Sequence, residues 1–316
     1  MKAVVFDAFG GPERLRIAEV HKPAPAAGEV LIEVRCASVN PVDWKIREGM
    51  FAEMFPYEFP IVPGWDAAGV VAALGKGETG FRAGDRVYAY CRKPKIQHGT
   101  YAEFVTMAAD AVAPMPGNID FAAASTIPLA GLTAWQSLFD AAKLSAGQKV
   151  LVHAGAGGVG SLAIQFARHA GATVYTTARR QNHDYVKGLG ADAAIDYARE
   201  RFVDAVRALA PGGVDLVYDT VGGPVQKESY KALKPGGMLV SIVNIPEPAE
   251  ARPYGARTNF VFVSPDGEQL RKIAALVESG AVKPAAYEEL PLERAAEAQE
   301  RNRGGHIRGK IVLRIK

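Results

Sequence analysis

The rhythm of hydrophobic and polar positions changes near residue 120. Before it, short apolar runs alternate with polar residues and are punctuated by Gly and Pro. This predicts strands at Lys2 to Asp7, Glu29 to Ser38, Gly69 to Ala73, Asp85 to Tyr90 and Thr100 to Thr106. That part reads as β-rich. From about residue 121 Ala-rich stretches predict helices at Phe121 to Ser125 and Ala130 to Ala141, and strands then alternate with helices to about residue 265. The predicted strands are Lys149 to His153, Thr173 to Thr177, Ala193 to Ile195, Leu216 to Asp219, Met238 to Val243 and Phe260 to Val263. Six short apolar runs with helices between the first five are what a dinucleotide-binding parallel sheet requires.

After Pro265 come a helical stretch (Glu268 to Ser279), a strand (Tyr287 to Leu290), a helix around Leu292 to Gln299 and a final strand (Gly309 to Ile315). This tail is too short to be a domain. It is expected to return to the first part, so the fold class is α/β with a β-rich domain (1–122 and 266–316) interrupted by a doubly wound domain (123–265).

Composition narrows the setting. The chain has 316 residues, 48% of them hydrophobic and 22% charged, with a net charge of +3. A chain this long can build about two full cores, and a charge this small with no long basic block gives no reason to expect a nucleic-acid partner. Two cysteines, Cys36 and Cys91, cannot make a disulfide framework or a four-thiolate zinc site, which suits a reducing, cytoplasmic setting. No run approaches the ~20 apolar residues of a membrane span, and the first residues lack a signal-peptide core.

The strongest local signal lies between the strand ending at His153 and the helical run SLAIQFARHA. There Ala154 to Gly160 read AGAGGVG, and Gly155, Gly157 and Gly160 have the G-x-G-x-x-G spacing. A tight turn, a bare backbone and a helix start facing an anion are what a pyrophosphate needs. At the end of the second strand an NAD site usually carries an acid for the ribose hydroxyls. Here stand Thr176, Thr177, Ala178, Arg179 and Arg180, with no acid until Asp184. Guanidinium groups bind a 2′-phosphate that a carboxylate would repel, so the predicted cofactor is NADPH. The plain alternative is that Arg179 and Arg180 are solvated loop charges.

Ser38 to Gly49 (SVNPVDWKIREG), Val62 to Val71 (VPGWDAAGVV), Gly84 to Ala89 (GDRVYA), the glycine turn and Gly305 to Leu313 (GHIRGKIVL) resemble, in order, the zinc-independent quinone oxidoreductase branch of the medium-chain dehydrogenase/reductase superfamily. The resemblance implies a GroES-like catalytic domain, a Rossmann domain and a homodimer. Zinc-dependent members carry a Cys where Asn40 stands and a Gly-His-Glu where Gly64, Trp65 and Asp66 stand. Neither Asn nor Trp supplies a thiolate or imidazole, so no metal is expected, and Cys36 reads as core filler.

Without a metal, alcohol oxidation gives way to hydride delivery onto a quinone or an α,β-unsaturated carbonyl, which needs alignment, hydrogen bonds to the developing oxyanion and a proton from water. Alternatives are an enoyl-thioester reductase or a non-catalytic NADPH-binding or RNA-binding relative. The resemblance puts Asn40 and Thr133 beside the nicotinamide as the catalytic pair, with Asn40's amide free to donate and accept. Together with the glycine turn and the arginines read above, it gives the expected cofactor residues as Asn40, Thr133, Gly155, Ala156, Gly157, Gly158, Val159, Gly160, Thr177, Arg179, Arg180, Tyr197, Val221, Val243, Phe260 and Lys310; at Arg179 the chain departs from relatives, which more usually carry a small hydroxyl residue there. Tyr197 could equally be a sheet-end aromatic, and Lys310 alone would pass for a solvated charge. Asp43 and Asp66 are read as structural carboxylates before catalytic ones. Trp44, Phe51 and Phe55, the last two in the loop segment Met50 to Pro60 that also holds Tyr57 and Phe59, are the expected substrate pocket for a flat, apolar acceptor.

Overall fold

The computed structural model describes residues 1–77 and 80–316. They cluster into two compact units: Met1–Leu129 with Ser264–Ser279 and Pro284–Lys316, and Ala130–Val263 with Gly280–Lys283. No helix of the described residues is long and apolar enough to cross a membrane.

The first unit is organised by the ten-residue strand Glu29–Ser38. Its alternation puts Val30, Ile32 and Val34 into a core shared with Val71, Val87, Val105, Ile311 and Leu313. The sheet runs Tyr287–Pro291, Lys310–Arg314, Glu29–Ser38, Asp66–Leu74, Arg86–Tyr90, Val112–Pro114, and Phe104–Ala108 also pairs with the central strand. The last strand of the chain thus lies antiparallel to Glu29–Ser38, Val312 facing Ser38, with the Val39 N–H donating to the Ile311 carbonyl at 2.8 Å. Continued by two residues, this register sets Lys310 against Asn40. The helix Phe121–Ser125 packs on Glu29–Ser38 and Asp66–Leu74, capped by Asp120, whose carboxylate accepts the Ala123 N–H at 2.7 Å. It is part of the first unit although an expected boundary ran through it.

The second unit is a six-stranded parallel sheet in the order Ala193–Ile195, Thr173–Thr177, Lys149–Val152, Val214–Asp219, Leu233–Ser241, Arg257–Phe260. In chain order that is 3-2-1-4-5-6, the doubly wound arrangement whose order reverses beside the first strand. Val150, Leu151 and Val152 are fully buried, as in a sheet covered on both faces.

Several elements depart from the expectations. Pro41–Arg47 forms a helix that the strand-like texture of the region concealed. The expected strand Thr100 to Thr106 lies at Phe104–Ala108, and Phe260 to Val263 lies at Arg257–Phe260, because pairing with a neighbouring strand set the register where apolar content did not. Tyr57 and Phe59 do not line a loop. They lie on the strand Tyr57–Val62, where their rings meet Phe9, and Phe59 also meets Phe6. The helix expected at Ala130 to Ala141 splits into Pro128–Trp135 and a wider turn, in which the Ala142 N–H reaches back five residues to the Ser137 carbonyl.

Candidate active site

The glycine turn of the second unit follows the strand Lys149–Val152 and opens the helix Gly158–His169. A Cβ on Gly155 would lie 2.0 Å from Thr176 Oγ1, and one on Gly160 would lie 2.4 Å from the Ala154 carbonyl oxygen. Those two glycines permit strand and helix to close together. A Cβ on Gly157 would meet only the Ala154 oxygen, at 3.4 Å. Gly157 is also the N-cap and brings no capping side chain, so the helix start, with Gly158 and Val159, is open to an anion. Ala156, within the turn, is buried.

Beneath the turn lies a brace the sequence did not announce. Ala154 has φ +49°, a left-handed conformation uncommon for alanine, and its N–H donates to Thr177 Oγ1 at 3.1 Å. Thr177 Oγ1 lies 3.2 Å from His153 Nδ1, and His153 Nε2 lies 2.9 Å from Ser229 Oγ. Ser229 already donates to the Val225 carbonyl. It therefore accepts the His153 Nε2–H, Nδ1 is the acceptor, and Thr177 donates to it. Burial drives the His153 pKa down to about 4 and keeps the ring neutral. Thr177, expected among the cofactor ligands, has its hydroxyl committed to holding the turn.

Around the same ends of the strands, Asp219 accepts the N–H groups of Val221 (3.0 Å) and Gly222 (2.8 Å) and the Ser241 hydroxyl (2.8 Å). Val221 is exposed, and Val243 and Phe260 are half-buried at the ends of the next two strands. Arg179 and Arg180 are exposed just after Thr173–Thr177. His183 donates through Nε2 to the Ala178 carbonyl and presents Nδ1 to Arg180 at 3.4 Å, which tethers that guanidinium. Tyr197, 43% exposed, follows Ala193–Ile195. Thr133 is buried, and its carbonyl accepts the Tyr218 hydroxyl at 3.3 Å.

In the first unit the chemistry gathers around Asn40. Asp66 Oδ2 accepts from Ser38 Oγ (2.6 Å), Asn40 Nδ2 (2.8 Å) and Lys310 Nζ (2.9 Å), while Oδ1 accepts the Leu129 N–H (2.6 Å). Lys310 Nζ also donates to Asn40 Oδ1 at 2.6 Å, and Asn40 Nδ2 donates to the Ser38 carbonyl at 3.3 Å. A flipped amide would turn its oxygen to the Asp66 carboxylate and its N–H groups to the ammonium, so its orientation is forced. Two readings change. Lys310 is not a solvated charge but a 4% exposed ion-pair partner of a fully buried carboxylate. Asn40 has no N–H left to donate, because both are spent on Asp66 and Ser38.

Asp43 serves the same residue from behind. One of its oxygens accepts the Asn40 N–H (2.9 Å) and the Tyr101 hydroxyl (2.8 Å). The other is buried without a partner, and burial raises the pKa to about 7.

The three expected pocket aromatics divide. The ring of Trp44, on the helix Pro41–Arg47, lies 5.8 Å from the Arg303 guanidinium and 5.6 Å from Lys45 Nζ. Phe51 and Phe55 lie side by side, ring centroids 6.2 Å apart, with Arg92 over Phe55 at 5.9 Å.

Residues 26–117 match the family described as alcohol dehydrogenase GroES-like domain, and residues 189–313 match the one described as zinc-binding dehydrogenase. The chain is 37% identical to the chloroplastic NADPH-dependent alkenal/one oxidoreductase of Arabidopsis thaliana, over 99% of this chain and 79% of that protein. It is 32% identical to the quinone oxidoreductase of Mus musculus, over 99% and 97%. Among solved structures, Escherichia coli quinone oxidoreductase complexed with NADPH superposes with a TM-score of 0.90 at 27% identity, over all of both chains. The chain belongs to the medium-chain dehydrogenase/reductase superfamily, among its quinone oxidoreductases. As a member of that superfamily it combines a GroES-like fold with a Rossmann-like parallel sheet. It also carries an ammonium bonded to Asn40 and Asp66, the two positions that the resemblance set against a Cys and a Glu of zinc-dependent members.

Proposed function

We propose that this protein is an NADPH-dependent reductase that adds a hydride to quinones or α,β-unsaturated carbonyl compounds without zinc. The observation that carries it is Lys310. Its ammonium is bonded to both Asn40 Oδ1 and Asp66 Oδ2, so a cation of the chain's own stands against the side chains at two metal-ligand positions. Asn40 offers neither thiolate nor imidazole, and Trp65, buried against the Tyr90 ring, offers none.

The cofactor reading is supported by the open helix start at Gly157 and by two arginines, with no carboxylate, at the end of the second strand. The pyrophosphate would be held by the turn Gly155, Ala156, Gly157, Gly158, Val159 and Gly160, the 2′-phosphate by Arg179 and Arg180, and the adenosine flank by Tyr197. Val221, Val243 and Phe260 would border the nicotinamide half, with Thr133 and Asn40 placing its ring. Bound NADPH supplies the hydride. Phe51 and Phe55 offer apolar faces for a flat acceptor, whereas Trp44 faces cations and takes a packing role.

The relatives named for quinones and alkenals support this acceptor class. The strand Arg257–Phe260 lies at an edge of its sheet and supports a homodimer joined there. Two buried, unpaired cysteines suit a reducing compartment such as the cytoplasm. The deciding experiment is NADPH consumption with purified protein across a panel of quinones and enones. Turnover of at least one is expected, and indifference to the whole panel refutes the reading.

A further inference from the structure

The hydrogen-bond donors around Asn40 can be followed one by one. The Ser38 hydroxyl is spent on Asp66, and the two Asn40 N–H groups are spent on Asp66 and on the Ser38 carbonyl. The Lys310 ammonium has three N–H groups and bonds two acceptors, Asn40 Oδ1 and Asp66 Oδ2. Its third has no acceptor among the described residues. Lys310 is 4% exposed and Asn40 3%, so the two residues are nearly but not wholly closed to the outside. Its charge is offset by Asp66, itself fully buried. A donor already desolvated and already oriented is what a developing oxyanion needs.

We propose that Lys310 is a catalytic residue whose third N–H donates to the carbonyl oxygen of the acceptor, with Asp66 and Asn40 as positioning residues that aim the ammonium. This rests on the reductase reading above. With an enone, a hydride from the reduced nicotinamide bonds to the β-carbon. The carbon–carbon π pair moves to the bond between the α-carbon and the carbonyl carbon, and the carbonyl π pair moves onto oxygen. The resulting enolate then takes one proton from water. Lys310 stays protonated throughout, shares its third N–H with the oxyanion, and transfers nothing. Asn40, with no donor left, can only accept.

The test pairs kinetics with a readout that involves no turnover. Lys310→Met alone would strand the Asp66 charge, so the variant of choice is Lys310→Met with Asp66→Asn, checked for a cooperative melt. Its kcat for an enone should fall about a hundredfold or more, the loss expected for one oxyanion donor, with the KM for NADPH little changed. Lys310→Arg, which keeps a charged donor, should recover part of the loss. Separately, a nitrophenol added to the wild-type protein with NADP⁺, below the phenol's own pKa, should bind as the phenolate and show its absorbance. The folded double variant should lose that signal.

A folded double variant that keeps its kcat overturns the proposal. So does a loss confined to NADPH affinity, which would give the ammonium to the cofactor. So does a wild-type protein that binds the nitrophenol as neutral phenol or not at all, a result that needs no variant to fold. Failure of the reductase reading is distinguishable, because there the wild-type protein turns over no acceptor.

Discussion

Thr177 serves two partners with one oxygen, accepting from the Ala154 N–H and donating to His153 Nδ1. Thr177→Val keeps the shape and removes both bonds. It leaves a half-buried N–H and a buried ring nitrogen unpaired, at up to about 1–3 kcal/mol each, in the turn expected to hold a pyrophosphate. Thermal unfolding should show the stability loss, and titration calorimetry should show NADPH binding weakened by about tenfold or more. An unchanged NADPH affinity would mean that the turn keeps its conformation unaided. Arg179 and Arg180 act at the same scale. Their joint replacement by Ala should weaken NADPH by about tenfold or more while NADH is little affected, because each charge-assisted bond to a 2′-phosphate is worth about 1.5–3 kcal/mol. Equal losses for the two cofactors would return these arginines to the solvent.

At the scale of elements, the glycine turn and the C-terminal strand differ in how far they could be read. The turn is local. Strand, glycines and helix follow one another, and the spacing of Gly155, Gly157 and Gly160 states the backbone requirement directly. The pairing of Lys310–Arg314 with Glu29–Ser38 is remote, and no periodicity says which residue of the tail faces Asn40. For that reason Lys310 looked like a surface charge until the register placed it. Apolar runs located the strands Thr173–Thr177 and Ala193–Ile195 but misplaced Arg257–Phe260 by three residues, because an edge strand of mixed polarity carries its register in its hydrogen bonds. His153 could have been suspected, since a histidine directly before a glycine turn is an unusual choice for a wholly buried position. Its partners Thr177 and Ser229 could not.

Across the whole molecule, acid reports on the buried groups. The His153 pKa is lowered from 6.5 to about 4 by burial, so the unfolded chain takes up this proton first as pH falls. The stability this group contributes is complete above about pH 6.5, declines towards pH 4 and is flat below. Asp43, raised to about 7, works the other way, its folded form gaining protons and stability as pH falls from 7. Comparing wild type with His153→Gln isolates the imidazole, since Asp43 titrates in both. The wild type should lose more stability between pH 7 and pH 4.5 in denaturant titrations, and parallel losses would show that His153 stays neutral in both states. The homodimer reading is also testable at this scale, by light scattering, where a monomeric mass would contradict pairing through Arg257–Phe260.

Taken alone, the sequence determined what depends on neighbours along the chain: the β-rich and doubly wound parts, the glycine turn, and residue types at Asn40 and Trp65 that bring neither thiolate nor imidazole. Tertiary structure decided what depends on neighbours in space. It spent the N–H groups of Asn40, turned Thr177 into a brace, moved Tyr57 and Phe59 from a loop to a strand, and set Lys310 beside Asp66. For Asn40, Thr177 and Lys310 the physical reason is common. A buried polar group must find its partners wherever the fold brings them, and a partner 244 positions away leaves no periodic trace in the chain.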